Sequence, residues 1–262
     1  MKAEGAATLL DFAVSIAREA GEVTLRYFRG EYETRLKGKD NFVTRADLEA
    51  EALLRRRINE AFPEDGIVGE EEGERGGSSG RRWILDPIDG TYSFVHGVPV
   101  YGVLVGLEVE GEPALGVAHL PALGETVYAA SGAGCFWNGR PARVSQTARL
   151  EDALLLATDF GTCEAQGFGP AAAELQRRAS ARRTWGDCYG YVLVATGRAD
   201  AMLDPILSVW DCAALLPIVE EAGGTFTGWD GRRTIHAGNA IATNGLLFEE
   251  IMRIVGAGRA ES

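Results

Sequence analysis

Asp86 and Asp89 stand three residues apart in the run WILDPIDGTYSF, where Trp83-Ile84-Leu85 reads as a short apolar strand entering Asp86-Pro87-Ile88-Asp89-Gly90-Thr91. Hard divalent cations take carboxylate and backbone carbonyl oxygens. This Pro-stiffened turn offers both kinds together, from Asp86, Asp89 and the carbonyl of Ile88. The helix start expected at Gly90-Thr91 adds backbone N–H groups with no partner inside the helix, at the positive end of its dipole. A cation site beside an anion site is what metal-assisted chemistry on a phosphate requires. The same residues also suit a plain turn, in which Asp86 or Asp89 caps the following helix.

The elements that must position these groups are legible as periodicities. Residues 6–28 carry Leu9, Leu10, Ala13, Ile16, Ala17 and Ala20 at helical spacing. A second helix is expected from about Thr44 to Phe62, with Leu48, Leu54, Ile58 and Ala61 on one face and Pro63 as its stop. Residues 73–80, GERGGSSG, have the composition of a mobile loop. From Trp83 to Ala130 the pattern is strand-rich, with Val98 to Val109 as a buried strand and hairpin turns at Gly111-Glu112 and Asn138-Gly139. The second half alternates: a strand at 154–158, helices near 170–181 and 187–197, a strand at 200–203, a helix after Trp210, a strand at 240–243 and a last helix near 246–255. Alternation in layers, without an internal repeat, predicts a mixed α/β or α+β fold. A single domain over 1–262 is expected, strand-rich to about 150 and α/β from 151.

Composition excludes several function classes. The net charge of −12 and the absence of any basic run of about five or more residues argue against a nucleic-acid surface. No apolar run approaches the ~20 residues that span a bilayer, so no membrane association is expected. Asp11, Arg18 and Glu19 interrupt the first apolar segment and spoil a signal peptide; a cytoplasmic location is expected. The four cysteines, Cys135, Cys163, Cys188 and Cys212, form no C-x-x-C pair and read as reduced and structural. The three histidines, His96, His119 and His236, lack zinc-like spacing, and no G-x-S-x-G elbow exists. Arginine outnumbers lysine 23 to 3, a bias of genome composition or heat tolerance rather than of function.

Two long segments, WILDPIDGTYSFVHGVP and VWDCAALLPIVEEAGGTF, resemble the signature segments of the inositol monophosphatase family of magnesium-dependent phosphatases. NFVTRADLEAE, IVGEEEG and GNAIATNG extend the resemblance over nearly the whole chain. It implies a layered αβαβα sandwich, a small-molecule phosphate ester as substrate, about two to three Mg²⁺ ions per site and a homodimer.

The resemblance also distributes roles. Asp211, by itself a first-turn helix acid favoured by the dipole, becomes the remote carboxylate completing the metal cluster of Asp86, Ile88 and Asp89. Glu70 becomes a metal ligand with a part in catalysis, and Glu71 and Glu72 are left as surface charges. Asp47 pairs with Thr91 to orient and deprotonate the attacking water. The spacing Thr44-Arg45-Ala46-Asp47 equally fits a capping box in which Asp47 only returns a hydrogen bond to Thr44. Lys37, or else Lys39, is the active-site lysine, and the amides of Gly90 and Thr91 hold phosphate oxygens.

For the substrate, the resemblance points to Asp187 in TWGDCYGY and Asp204 in MLDP. GDCYGY, WDCAALLPIVEEAGGTFTGWDG and GNAIATNGLL look closer to the histidinol-phosphate phosphatase branch, and an extra carboxylate at Asp187 suits a cationic substrate. Asp187 also reads as a simple helix cap. Inositol monophosphate remains the other candidate. Further rivals are fructose-1,6-bisphosphatase-like or 3′,5′-bisphosphate nucleotidase-like activity, or a non-catalytic regulatory partner of nucleic-acid machinery on the same scaffold. A degenerate binding protein should have lost some of the acids, whereas Asp47, Glu70, Asp86, Asp89 and Asp211 are all present.

Overall fold

The computed structural model describes residues 3–30, 34–38 and 41–260, with side chains at 7–30 and 44–258. Helices α1 (Ala3–Tyr27) and α2 (Arg45–Ala61) flank a small hairpin of β1 (Thr34–Gly38) and β2 (Asn41–Thr44). The first half continues with β3 (Gly66–Gly69), β4 (Gly73–Arg75), β5 (Arg81–Asp89), a five-residue helix α3 (Thr91–Val95), and β6 (Gly102–Val109). Strands β7 (Glu112–Leu120), β8 (Glu125–Ala130), β9 (Gly134–Trp137) and β10 (Arg140–Ala142) complete it. The second half opens with β11 (Leu154–Ala157), α4 (Phe160–Ala165), α5 (Gly169–Arg178), β12 (Ala181–Arg183) and α6 (Asp187–Ala195). It closes with β13 (Ala201–Asp204), α7 (Val209–Glu221), β14 (Thr225–Thr227), β15 (Ala240–Thr243) and α8 (Phe248–Ala260).

The strands form an eight-stranded sheet, ordered β10-β9-β8-β7-β6-β5-β3-β4, and a five-stranded sheet, ordered β12-β11-β13-β15-β14. In the large sheet only β3 and β5 run parallel. Apolar stripes dictate how the layers stack. The buried face of α1 (Ala13, Ile16, Ala17, Ala20) and that of α2 (Leu54, Ile58) cover one side of the large sheet. Helices α6 and α7 are apolar nearly all round and fill the space between the two sheets, as an interior helix must. Leu175 of α5 with Ile251 and Val255 of α8 covers the far face of the small sheet. The result is the expected αβαβα sandwich, each fully buried Leu or Ile contributing about 1.5–3 kcal/mol.

Local signals and structure part company in a few places. Residues 73–80 are an anchored edge rather than a mobile loop. Gly73–Arg75 pairs with β3, the amides of Ser78 and Ser79 donate to the Glu64 carbonyl, and buried Asp65 accepts from Ser79 Oγ, Arg81 Nε and Trp83 Nε1 at 2.7, 3.0 and 2.9 Å. Composition could not reveal Asp65 as their common acceptor. The strand expected from Val98 starts at Gly102. The first hairpin turns at Glu110-Gly111, both with positive φ, one residue earlier than expected; Asn138-Gly139 turns where its sequence requires. Helix α4 and strands β12 and β14 are too short to leave a periodicity.

Candidate metal centre and active site

Strand β5 does not end at the Asp-Pro turn; it bulges there. Asp86 pairs with Leu104 and Asp89 with Gly102, so two residues of β5 oppose the single Val103 of β6. Residues three apart on a regular strand face opposite sides of the sheet. The extra residue corrects the phase, and Pro87, which has no N–H to donate, occupies the interrupted ladder. Asp86 Oδ1 also accepts the Ile88 amide at 3.0 Å. Both carboxylates are thereby turned toward the N-terminus of α7, where Asp211 waits with its Oδ2 on the Ser208 amide at 2.6 Å. Helix α7 approaches closely because Gly106 and Gly116, paired across β6 and β7, leave room. A Cβ on Gly116 would fall 2.0 Å from the Ala214 carbonyl oxygen, and one on Gly106 would fall 2.8 Å from Ala213.

Asp86, Asp89 and Asp211 each present a carboxylate oxygen within 4.8 Å of the others, a group of three spaced to hold a metal ion. Burial pushes Asp86 and Asp89 well above the usual carboxylate range. The charge of Glu70 adds to the shift at Asp86, and that of Asp187 adds to the shift at Asp89. Burial likewise raises Asp211 to about 6. Glu70 therefore lies close enough to act on Asp86 without joining the tight triad. It sits half-buried on the turn between β3 and β4, with its amide donating to the Leu85 carbonyl at 3.3 Å.

Asp47 fulfils the capping-box expectation. It is fully buried, and its Oδ2 accepts the Thr44 amide at 2.8 Å and the Thr44 hydroxyl at 2.5 Å. Its other oxygen, Oδ1, is buried without a hydrogen-bond partner among the described residues, and desolvation lifts the group to about 6. The Thr91 hydroxyl donates to the Ile88 carbonyl at 2.9 Å, which leaves its oxygen able to accept from a water shared with Asp47. The two residues still belong to one neighbourhood, since Ala46 packs with Ile88 and Phe94. Gly90, at φ +81°, precedes Thr91 at the head of α3. Lys37 lies on β1 with its side chain outside the described residues, as is all of Lys39.

Asp187 is half-buried and stands first in α6 with φ +51°, a left-handed backbone that costs a non-glycine residue on the order of 1–3 kcal/mol. Its amide donates to Thr158 Oγ1 at 2.9 Å, and its Oδ2 lies 2.9 Å from where a Cβ on Gly90 would be. It does not cap α6, whose N-cap is Gly186: it leans over the Gly90 turn, and burial raises it to about 6 with Ser93 opposing the shift. Asp204, expected to grip substrate, is only 2 % exposed. Its oxygens are engaged by the Thr158 amide at 3.2 Å and the Tyr191 hydroxyl at 2.9 Å, and burial lifts it to about 7. It braces Thr158 from a buried position on the wall of the inner cavity. The exposed carboxylate on that wall is Asp159, which accepts from the Gly161 amide and from the amide and hydroxyl of Thr162. These donors hold it below the usual carboxylate range. No motif marks Asp159 in the sequence; it emerges only where α4 begins.

A cavity of about 180 Å³ touches Asp89, Asp211, Asp187, Asp204 and Asp159. Through Asp159 and Asp187 it adjoins an open groove of about 940 Å³ that runs past Tyr92, Val98 and Trp185, all three substantially exposed. The acid cluster fits a hard divalent cation. Its donors are all oxygen, like charges are held together against their own repulsion, and Asp47 Oδ1 has no donor among the described residues. Sequence reasoning also missed the backbone partners that aim the cluster: the Cys188 amide, which donates to Asp89 Oδ2, and the Ser208 amide. The Cys188 amide leaves no signature in the sequence, whereas Ser208-Val209-Trp210-Asp211 has the capping-box spacing already seen at Thr44–Asp47, the signal that could have found the second.

The profile of the inositol monophosphatase family matches residues 6–258. The chain is 44 % identical over 254 residues to a histidinol-phosphatase of Chlorobaculum parvum, covering 96 % of this chain and 98 % of that protein. It is 40 % identical to a histidinol-phosphatase of Mycobacterium tuberculosis, over 95 % of this chain and 98 % of that one. The solved structure of the extragenic suppressor protein SuhB from Bartonella henselae superposes with a TM-score of 0.89 at 31 % identity, covering 95 % of this chain and 98 % of that one. With bulged strand, facing helix and acid triad all carried by the matched segments, the chain belongs to the inositol monophosphatase family and is a phosphoric monoester hydrolase.

Proposed function

We propose that this phosphatase is a Mg²⁺-dependent enzyme that hydrolyses the phosphate monoester of a small cationic alcohol, with histidinol phosphate as its substrate. The observation that carries the substrate reading is Asp187, a carboxylate held in a strained left-handed backbone over the Gly90 turn, at the junction of the inner cavity and the outer groove. Asp159 adds a second fixed negative charge on the same wall. A positively charged leaving group would meet both with opposite charge, whereas a neutral polyol could offer them only hydroxyl hydrogen bonds. The histidinol-phosphatase names of the two relatives support the same choice.

Asp86, Asp89, Asp211, Glu70 and the Ile88 carbonyl would hold about two to three Mg²⁺ ions. When bound, the cations neutralise phosphate charge and lower the pKa of the water they polarise. The chain's own residues do the rest. Asp47 accepts a proton at Oδ1, the oxygen left without a partner among the described residues. Thr91 orients the water from the Ile88 carbonyl, the amides of Gly90 and Thr91 take phosphate oxygens, and Lys37 adds a positive charge. A single domain, a homodimer and a cytoplasmic location complete the proposal.

The test is phosphate release with Mg²⁺ from histidinol phosphate, inositol 1-phosphate, fructose 1,6-bisphosphate and adenosine 3′,5′-bisphosphate. Asp187→Asn is measured beside the wild type, because asparagine tolerates the left-handed backbone and removes only the charge. Histidinol phosphate should give the highest kcat/KM. The variant should lose about tenfold on it for every ~1.4 kcal/mol of lost interaction and stay level on inositol 1-phosphate. Equal losses on both, or a wild-type preference for inositol 1-phosphate, would overturn the cationic reading.

A further inference from the structure

Helix α2 carries Asp47, Glu51 and Arg55 at successive i, i+4 positions, so all three lie on one stripe. Each is buried, an unusual concentration of ionisable groups on an inward face. Asp47 is the residue at the head of the helix described above. Glu51, one turn on, is fully buried and turned toward the β3–β4 turn. Its Oε2 accepts the Glu71 amide at 2.8 Å, and its Oε1 accepts the Glu72 amide at 3.0 Å. Arg55 steadies it from the next turn, with Nε on Glu51 Oε1 at 2.7 Å and Nη2 on the Gly73 carbonyl at 2.5 Å.

We propose that Glu51 is a positioning residue for the metal centre: it fixes the peptide plane that follows Glu70 and so holds the Glu70 carboxylate against Asp86. The inference rests on the metal-dependent reading above. The Glu71 amide belongs to the same planar peptide unit as the Glu70 carbonyl, so the bond to Glu51 sets that plane. The preceding plane is set by the Glu70 amide on the Leu85 carbonyl, directly before Asp86. Glu70 is therefore clamped on both sides, by α2 behind and by β5 in front.

The clamp needs close contact, which Gly69 provides. A Cβ there would lie 2.2 Å from Glu51 Oε1 and 2.8 Å from Arg55 Nη2. A buried ion pair is a poor device for stability alone, because desolvation offsets most of its attraction. A carboxylate is well suited to collecting two consecutive amides and fixing a turn. Helix α2 thus sets Asp47 with its first turn and Glu70 with its second.

The experiment titrates Mn²⁺, an oxygen-seeking probe ion, into chelator-stripped protein by calorimetry, with thermal melting on the same samples. It compares the wild type with Glu51→Gln, Gly69→Ala and Asp65→Asn. Asp65 is an equally buried acceptor whose hydrogen bonds go to Ser79, Arg81 and Trp83 and none to residues 70–72. Glu51→Gln should weaken Mn²⁺ binding by about tenfold or more, the usual effect of removing a group that orients a ligand. It should also raise the Mg²⁺ concentration for half-maximal turnover, with kcat largely recovered at saturation. Asp65→Asn should lower the melting temperature and leave Mn²⁺ affinity unchanged. Gly69→Ala, which displaces the carboxylate without altering any charge, should reproduce the weakened binding and decides the matter if Glu51→Gln does not fold. Unchanged affinity in Glu51→Gln or, failing that, in Gly69→Ala overturns the role of Glu51 alone. A wild type that binds no Mn²⁺ overturns the metal-centre reading itself.

Discussion

Asp89 is held by a single backbone donor, the Cys188 amide, and shares its surroundings with Asp86, Asp187 and Asp211. Asp89→Asn keeps the shape and removes one charge from a cluster whose cation affinity depends on charge count. Phosphate release should fall about a hundredfold or more, and near-normal turnover at saturating Mg²⁺ would contradict the ligand role. The two oxygens of Asp47 separate its observed cap on Thr44 from the proton-accepting role proposed for it. Asp47→Asn should cost about 0.5–2 kcal/mol of stability through the Thr44 cap and also lower kcat by about a hundredfold or more. A melting-temperature loss with unchanged kcat would reduce it to a cap. The pH profile gives an independent reading. A base must be ionised, and burial places Asp47 at about 6, so kcat should fall as pH drops through that value. A rate flat from pH 5 to 8 would remove Asp47 as the base. At this scale the sequence is most informative where chemistry is linear: Asp86, Ile88, Asp89 and Thr91 fall in one short run. It is least informative where a residue's use depends on what folds against it. Asp204 and Asp159 look alike as letters, yet one is buried with its carboxylate on the Thr158 amide and the other is exposed where the cavity opens into the groove.

Among the elements, α7 and β5 decide whether the acids meet. Gly106→Ala or Gly116→Ala would insert a methyl into the Ala213–Ala214 contact and push α7 off the sheet. Overpacking of this kind costs about 1–3 kcal/mol, and because Asp211 rides on the first turn of α7, metal affinity should fall with it. Melting and Mn²⁺ titration of Gly116→Ala check both; a melting loss without an affinity loss would mean that Asp211 is held from its own end, by Ser208. The helices and most strands were legible because each long element repeats its pattern several times, as α1 does with Ala13, Ile16, Ala17 and Ala20. The bulge was not. WILDPID reads as strand then turn, and only the pairing of Asp86 with Leu104 and Asp89 with Gly102 shows a strand that carries on. The anchored edge at 73–80 was hidden for the same reason, because Asp65 binds it from outside the segment.

Taken as a whole, the molecule gathers acids whose protonation resists neutrality. Burial raises Asp47, Asp187 and Asp211 to about 6 and Asp204 to about 7. Each folded-state pKa lies above the unfolded value near 4, so each group contributes stability that is complete below about pH 4 and is lost as pH rises through 6 to 7. For Asp204 alone the swing is on the order of 4 kcal/mol. Chelator-stripped protein should therefore melt at a lower temperature at pH 7.5 than at pH 5.5, and Mg²⁺ should restore most of the difference at the higher pH. A chelated melting temperature that rises over that interval would contradict the assignment. The bulge also has a bearing on synthesis. The strand carrying Asp86 and Asp89 leaves the ribosome long before Asp211 does, so a nascent chain carries an incomplete triad. The three acids, and any ion they would hold, can come together only once α7 has docked on the sheet.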